Sequence, residues 1–220
     1  MEIELINYAC RCMNDVPNGF SIVICSYNGV TRLKPTLSHI AALKVPQGKG
    51  IELILVNNAS ADRTESFVKN VWGEFNQPFP LTVLYESRPG KGYAVETGYD
   101  AAKYELIVTV DDDNWLKDDY LLQANQQYVE NPSLVLLGGR GIAEFEEEVP
   151  KWVEDVMYHN AVGSQQPFSG RMSSSNYLFW GAGMIVRNAF WKELRLSGFS
   201  FITSRQTGKA MGEDTELSIV

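Results

Sequence analysis

Leu106-Ile107-Val108-Thr109-Val110 runs without a break into Asp111-Asp112-Asp113-Asn114. The five apolar or β-branched residues read as a buried strand. Three adjacent carboxylates at its end repel one another, so a cation among them would stabilise the turn. In open α/β sheets ligands sit beyond the carboxyl ends of the strands, where these aspartates fall. A hard divalent ion is the simplest such cation, and with open coordination positions it would hold phosphates there. The other reading is an acidic cluster complementing the dipole of the next helix. That accounts for Asp118 and Asp119, but poorly for three acids at a strand end.

The rest of the first half repeats this unit. Strands are predicted over 21–27, 51–56 and 81–85. Between them lie helical spacings: Leu33, Leu37 and Ile40; then Phe67, Val68 and Val71; then a segment from Tyr93 to Ala102. Ser60 or Asp62 is placed to cap the second of these helices. A further helix carries Tyr120, Ala124 and Tyr128. Alternating strands and helices predict an α/β fold with a mostly parallel central sheet flanked by helices.

The second half is less regular. Strands are expected over 134–137 and 184–186, with a helix carrying Phe190, Trp191 and Leu194. The acidic run Glu144–Glu148 reads as a solvated face, and residues 163–175 as a Gly-, Ser- and Gln-rich loop. The last residues, 214–220, form an amphipathic helix with no C-cap signal, which reads as a chain cut short. The expected organisation is one domain over 1–220, with residues 1–19 as an N-terminal extension.

The chain has 220 residues, 45% hydrophobic and 21% charged, enough for one sizeable core. Its net charge is −8, from 19 basic and 27 acidic residues, with no basic stripe, which argues against a nucleic-acid partner. Three cysteines, Cys10, Cys12 and Cys25, form neither a disulfide framework nor a metal spacing, so a reducing cytoplasm is expected. The acidic N-terminus does not read as a signal peptide. No apolar run is long enough to span a bilayer, although peripheral membrane attachment stays open.

Three further clusters could carry chemistry. Arg88 and Lys91 stand with Gly90 and Gly92 at a strand end beside a helix start, which suits a phosphate or a plain turn. Glu213 and Asp214 follow Gly212, as a general base or as a helix cap. Trp180 and Gly181 set an aromatic face beside small residues, either for a sugar on the acceptor side or as core packing.

Read together and in order, these pieces resemble the family 2 glycosyltransferases. The matches are Ser21–Asn28, Val56–Thr64, Gly90–Ala94, Asp111–Asp113, Gly181–Met184 and Gly212–Leu217. The resemblance covers about residues 20–220 and implies the GT-A fold of nucleotide-diphospho-sugar transferases. It implies a nucleotide-sugar donor held by Ser26, Tyr27, Asn57, Asn58, Arg88, Lys91, Asp111 and Asp112. Among these, Asn57 and Asn58 fall where the base is read, and Asp112 lies near the ribose. Asp113 becomes the ligand of a divalent metal, Mn²⁺ or Mg²⁺. Asp214, or alternatively Glu213, becomes the base that deprotonates an acceptor hydroxyl.

The implied reaction is inverting transfer of a sugar to a carbohydrate or lipid-linked acceptor, in surface polysaccharide or glycoconjugate synthesis. The expected place is the cytoplasm, at the inner face of the membrane. One departure stands out: the family commonly has Asp at the position of Asn57, where a carboxylate accepts from a uracil N–H. Two other classes compete. A sugar-nucleotide-forming nucleotidyltransferase would want a Gly- and Arg-rich loop after the first strand, which Tyr27-Asn28-Gly29-Val30 does not supply. A non-catalytic nucleotide-sugar-binding module would need the metal site but not Asp214.

Overall fold

The runs centred on Ile22, Ile54 and Val108 are apolar on both faces, and in the computed structural model they lie side by side in one sheet. The structure describes residues 16–145, 147–157, 162–163, 179–202 and 212–218. The expected loop over 163–175 and the cysteines Cys10 and Cys12 therefore lie almost wholly outside the described residues.

The elements are β1 (Gly19–Ser26), α1 (Leu33–Ala41), β2 (Gly50–Asn58), α2 (Thr64–Glu74), β3 (Leu81–Glu86), α3 (Lys91–Ala101) and β4 (Leu106–Asp111). They continue with α4 (Tyr120–Glu130), β5 (Leu136–Leu137), α5 (Trp152–Val156), β6 (Ile185–Arg187), α6 (Asn188–Leu196) and α7 (Glu213–Ser218). The sheet order is β3-β2-β1-β4-β6-β5. The first four strands are parallel, and β6 runs antiparallel to both β4 and β5.

Strand alternation sorts the core into two layers. Ile22, Ile24, Leu53 and Leu55 pack with Leu37 of α1, Val68 and Trp72 of α2, and Leu121 of α4. On the opposite face Val23, Ile54, Val56 and Ile107 pack with Val95 and Tyr99 of α3, Trp191 of α6 and Leu217 of α7. The chain reverses direction across the sheet between β1 and β4, which opens a crevice at their carboxyl ends. Register brings Ser26 level with Asn57, Asn58 level with Glu86, and Cys25 level with Asp111. The lead-in to β6 joins this rim, since Gly183 N donates to Thr109 O (2.9 Å) and Thr109 N to Met184 O (2.8 Å).

Two expectations shift. The strand expected over 134–137 shrinks to Leu136–Leu137. The Arg187 side chain takes the carbonyls that precede it, with Nε on Leu134 O (3.0 Å) and Nη2 on Pro132 O (3.1 Å). Of the two candidate caps, Asp62 acts on α2, accepting from Thr64 N at 3.0 Å, whereas Ser60 Oγ accepts from Asn28 N across the loop.

Helix α3 approaches the sheet through Gly98. A Cβ there would overlap Val23 Cγ1 and stand 3.1 Å from Val56 Cγ2. Gly98→Ala is expected to destabilise the fold by roughly 1–3 kcal/mol through overpacking, read as a lower midpoint in urea denaturation. An unchanged midpoint would mean that α3 can back away without cost.

Candidate active site

The aspartate triplet divides as strand alternation requires. Asp111, the last residue of β4, meets Lys91 Nζ at 2.7 Å on the α3 side. Asp112 turns to the α1 side and is buried. There Arg32 grips it with a fork, Nε to Oδ1 at 3.0 Å and Nη2 to Oδ2 at 2.7 Å. Ser26 Oγ donates to the same Oδ2 (2.6 Å), and Thr36 Oγ1 donates to the Asp112 carbonyl (3.0 Å). Arg32 Nη2 also reaches the Tyr27 carbonyl at 3.0 Å, so one guanidinium ties the loop after β1 to the turn after β4. Its hydrogen bonds to Asp112 raise its already high pKa.

Asp113 takes part in no ion pair among the described residues and is exposed to solvent. Loss of hydration raises its carboxyl above the ordinary range, and the charges of Asp111 and Asp112 push it further. A cation at this point would reverse that strain. Among the described residues no three metal-binding side chains converge, so there is no preformed cage. Hard carboxylate oxygens at an open strand end suit Mg²⁺ or Mn²⁺, which bind through one or two carboxylates and complete their shell with water and substrate phosphates. On that donor chemistry the residues fit a divalent ion at Asp113.

The walls are fixed by the loops after β1 and β2. Asn28 (φ 51°) and Ala59 (φ 53°) adopt the left-handed conformation. Asn28 Oδ1 accepts from Ala61 N (2.9 Å), and Gly29 N donates to Thr64 Oγ1 (2.9 Å). Asn57 is buried and its Oδ1 accepts from Ser60 N at 3.1 Å. It lines a cavity of about 340 Å³ with Asp62, Arg63, Glu65, Ser66 and Lys69. Tyr27, by contrast, is 58% exposed and presents its ring to solvent. Asn58 is engaged inside the protein. Its Nδ2 donates to Arg88 O (2.7 Å) and its Oδ1 accepts from Gly90 N (2.9 Å), which pins the approach to α3.

Arg88 and Lys91 lie three residues apart in sequence but part company in space. Arg88 forks onto Glu86, at 2.9 Å and 2.7 Å, and lies 4.3 Å over the Tyr93 ring. These hydrogen bonds hold the buried Glu86 carboxyl down at about 2. Arg88 then lines a groove of about 790 Å³ between α3 and α6, so the structure does not bring it to Lys91 and the aspartates. Lys91, at the start of α3, does face them.

Asp214 completes the rim. Its Oδ2 accepts from Gly181 N (2.8 Å) and its Oδ1 from Thr215 N (2.7 Å). Ser218 Oγ donates to Asp214 O (2.7 Å) and accepts from Phe179 N (3.0 Å), bracing α7 beside the partly exposed Trp180. A Cβ on Gly181 would stand 3.5 Å from Asp214 Oδ2 and 3.7 Å from Lys91 Nζ. Asp111, Lys91, Gly181 and Asp214 therefore form one cluster, drawn from β4, α3, the β6 lead-in and α7. The side chain of Glu213 lies outside the described residues. The sequence reading missed Arg32 and Glu86; a lone Arg at a helix start and a strand-end Glu carry no signal until their partners are known.

The profile described as "Glycosyl transferase family 2" matches residues 21–194. The chain is 24% identical over 164 residues to poly-β-1,6-N-acetyl-D-glucosamine synthase of Staphylococcus epidermidis (strain ATCC 35984), covering 73% of this chain and 38% of that protein. Against the Staphylococcus aureus (strain COL) protein of the same name the figures are 23% over 182 residues, 80% and 43%. The chain thus spans less than half the length of these curated relatives.

Among solved structures, S. aureus TarS 1–349 in complex with UDP-GlcNAc superposes with a TM-score of 0.58 at 18% identity, covering 83% of this chain and 48% of that one. The mannosyltransferase PcManGT of Pyrobaculum calidifontis, in complex with GDP-Man and Mn²⁺, gives 0.60 at 21% identity, with 90% and 50% covered. At these identities the likeness is one of fold, and that fold is GT-A.

Proposed function

Since the chain belongs to glycosyl transferase family 2, we propose that it moves a sugar from a nucleotide-diphosphate donor to an acceptor hydroxyl, with inversion and with a divalent metal at Asp113. The observation that carries this reading is the cluster at the strand-switch crevice, where a strand-end carboxylate, a helix-start lysine and Asp214 face one another. The acceptor is a carbohydrate or lipid-linked glycan at the cytoplasmic face of a membrane. The polysaccharide synthases among the curated relatives support that class.

The chain's own groups divide the work. Tyr27 offers an exposed ring for a base to stack on. Asn57 Oδ1 already accepts from Ser60 N, which leaves its Nδ2 to donate to a base carbonyl. The start of α3 and Lys91 favour negative charge on the leaving diphosphate. The metal, when bound, supplies Lewis-acid neutralisation of that diphosphate. Asp214 takes the acceptor's proton as the hydroxyl attacks the anomeric carbon, through a transition state of oxocarbenium character.

A panel of nucleotide sugars screened by thermal shift with Mn²⁺ tests this reading. The true donor at 100 times its Kd is expected to raise Tm by roughly 5–10 °C. No shift with any donor, with or without Mn²⁺, would refute it.

A further inference from the structure

Two of the three aspartates are answered by cations of the protein itself: Asp111 by Lys91 and Asp112 by Arg32. The Arg32 contact is the more constraining. It is a two-point fork onto both oxygens of a buried carboxylate, reinforced by Ser26 Oγ and tied to the Tyr27 carbonyl. A carboxylate held in this way has its lone pairs directed at donors of Arg32, just before α1, and Ser26 of β1. It also carries a compensating positive charge immediately beside it.

We propose that Arg32 is a positioning residue that withholds Asp112 from a divalent ion, so that the ion is gained together with the donor diphosphate rather than before it. This rests on the reading of Asp113 as the metal's carboxylate. With Asp112 gripped and Asp111 paired, Asp113 is left as a single, exposed ligand. One carboxylate holds a hard divalent ion weakly, and phosphate oxygens must supply the remaining charge. Arg32 also brings a positive charge close to the ion, which repels a metal arriving alone and is outweighed once a diphosphate accompanies it. The same guanidinium joins the loops after β1 and β4. It therefore sets where Asp113 stands relative to Tyr27.

The test counts Mn²⁺ bound by the full chain, using the spin-resonance signal of free Mn²⁺, first without nucleotide and then with UDP or GDP. The wild type is expected to bind Mn²⁺ weakly alone and much more tightly with the preferred nucleoside diphosphate. Arg32→Gln is expected to bind Mn²⁺ alone at least roughly 10-fold more tightly than the wild type, because Asp112 joins Asp113. Its gain on adding nucleotide should shrink by the same factor. The double variant Arg32→Gln/Asp112→Asn is expected to return Mn²⁺ affinity to the wild-type level, which assigns the gained ligand to Asp112.

If Arg32→Gln does not fold, Arg32→Lys is used in its place. It keeps the charge but loses the fork, and a several-fold gain in affinity is expected. Unchanged Mn²⁺ affinity without nucleotide in the folded variant would overturn the proposal, as would a gain that survives Asp112→Asn. Failure of the underlying reading looks different: the wild type would bind no Mn²⁺ with any nucleotide.

Discussion

Asp214→Asn is expected to lower kcat by roughly 10²–10⁴-fold, the usual worth of a positioned general base. The Kd of the donor should stay within about 3-fold, since the change removes a transition-state interaction and not a ground-state one. The substitution keeps shape and volume, and an amide oxygen can still accept from Gly181 N, the 2.8 Å bond that ties α7 to the β6 lead-in. The cost is the second bond, from Thr215 N, where the new NH₂ would face a donor. Melting temperature and donor titration should therefore be recorded beside single-turnover rates. Undiminished turnover in a folded variant would place the base at Glu213 or elsewhere.

Asp113→Ala is expected to reduce nucleoside-diphosphate affinity in Mn²⁺ on the order of 100-fold, equivalent to about 2.7 kcal/mol. In EDTA the variant and the wild type should bind alike. The charge logic is direct. Asp111 and Asp112 are already compensated by Lys91 and Arg32, so removing Asp113 takes away the carboxylate proposed to hold the metal. Calorimetry checks both arms, and an affinity in Mn²⁺ equal to that of the wild type would sink the assignment. The substitution should not harm folding, because loss of hydration, and then the charges of Asp111 and Asp112, push the Asp113 carboxyl above its ordinary range. Relief of that crowding favours the variant slightly.

What the sequence made legible was whatever repeats or ends abruptly. Apolar runs at Ile22, Ile54 and Val108 announce parallel strands because both faces are covered. Their polar ends then fall together by topology alone. The lysine at the start of α3 and the aspartates at the end of β4 were foreseeable in this way. Orientation was not. Arg88 lies three residues from Lys91 yet turns to the groove between α3 and α6, where a buried Glu86 two residues before it offers two oxygens. Arg32 gains its meaning only from Asp112, eighty residues later, and spacing along a chain carries no mark of that distance. The family resemblance gives Asn58 a base-reading role, but its amide is engaged by the backbone of Arg88 and Gly90. The short β5 has a similar cause, since the Arg187 side chain competes for the carbonyls a longer strand would have used.

The cross-bonded loops at Asn28 and Ser60–Thr64 also bear on the thermodynamics of donor capture. Backbone N–H groups of each loop already donate to side-chain oxygens of the other: Asn28 N to Ser60 Oγ, Gly29 N to Thr64 Oγ1, and Ala61 N to Asn28 Oδ1. A ligand entering between them finds walls that need no freezing. The entropy lost on association is then mainly that of the ligand's own tumbling and torsions. If a base stacks on Tyr27 as proposed, the heat-capacity change of binding should be small, with no contribution from loop folding. On the proposed reading, this wall of the crevice would meet the donor as a fixed mould.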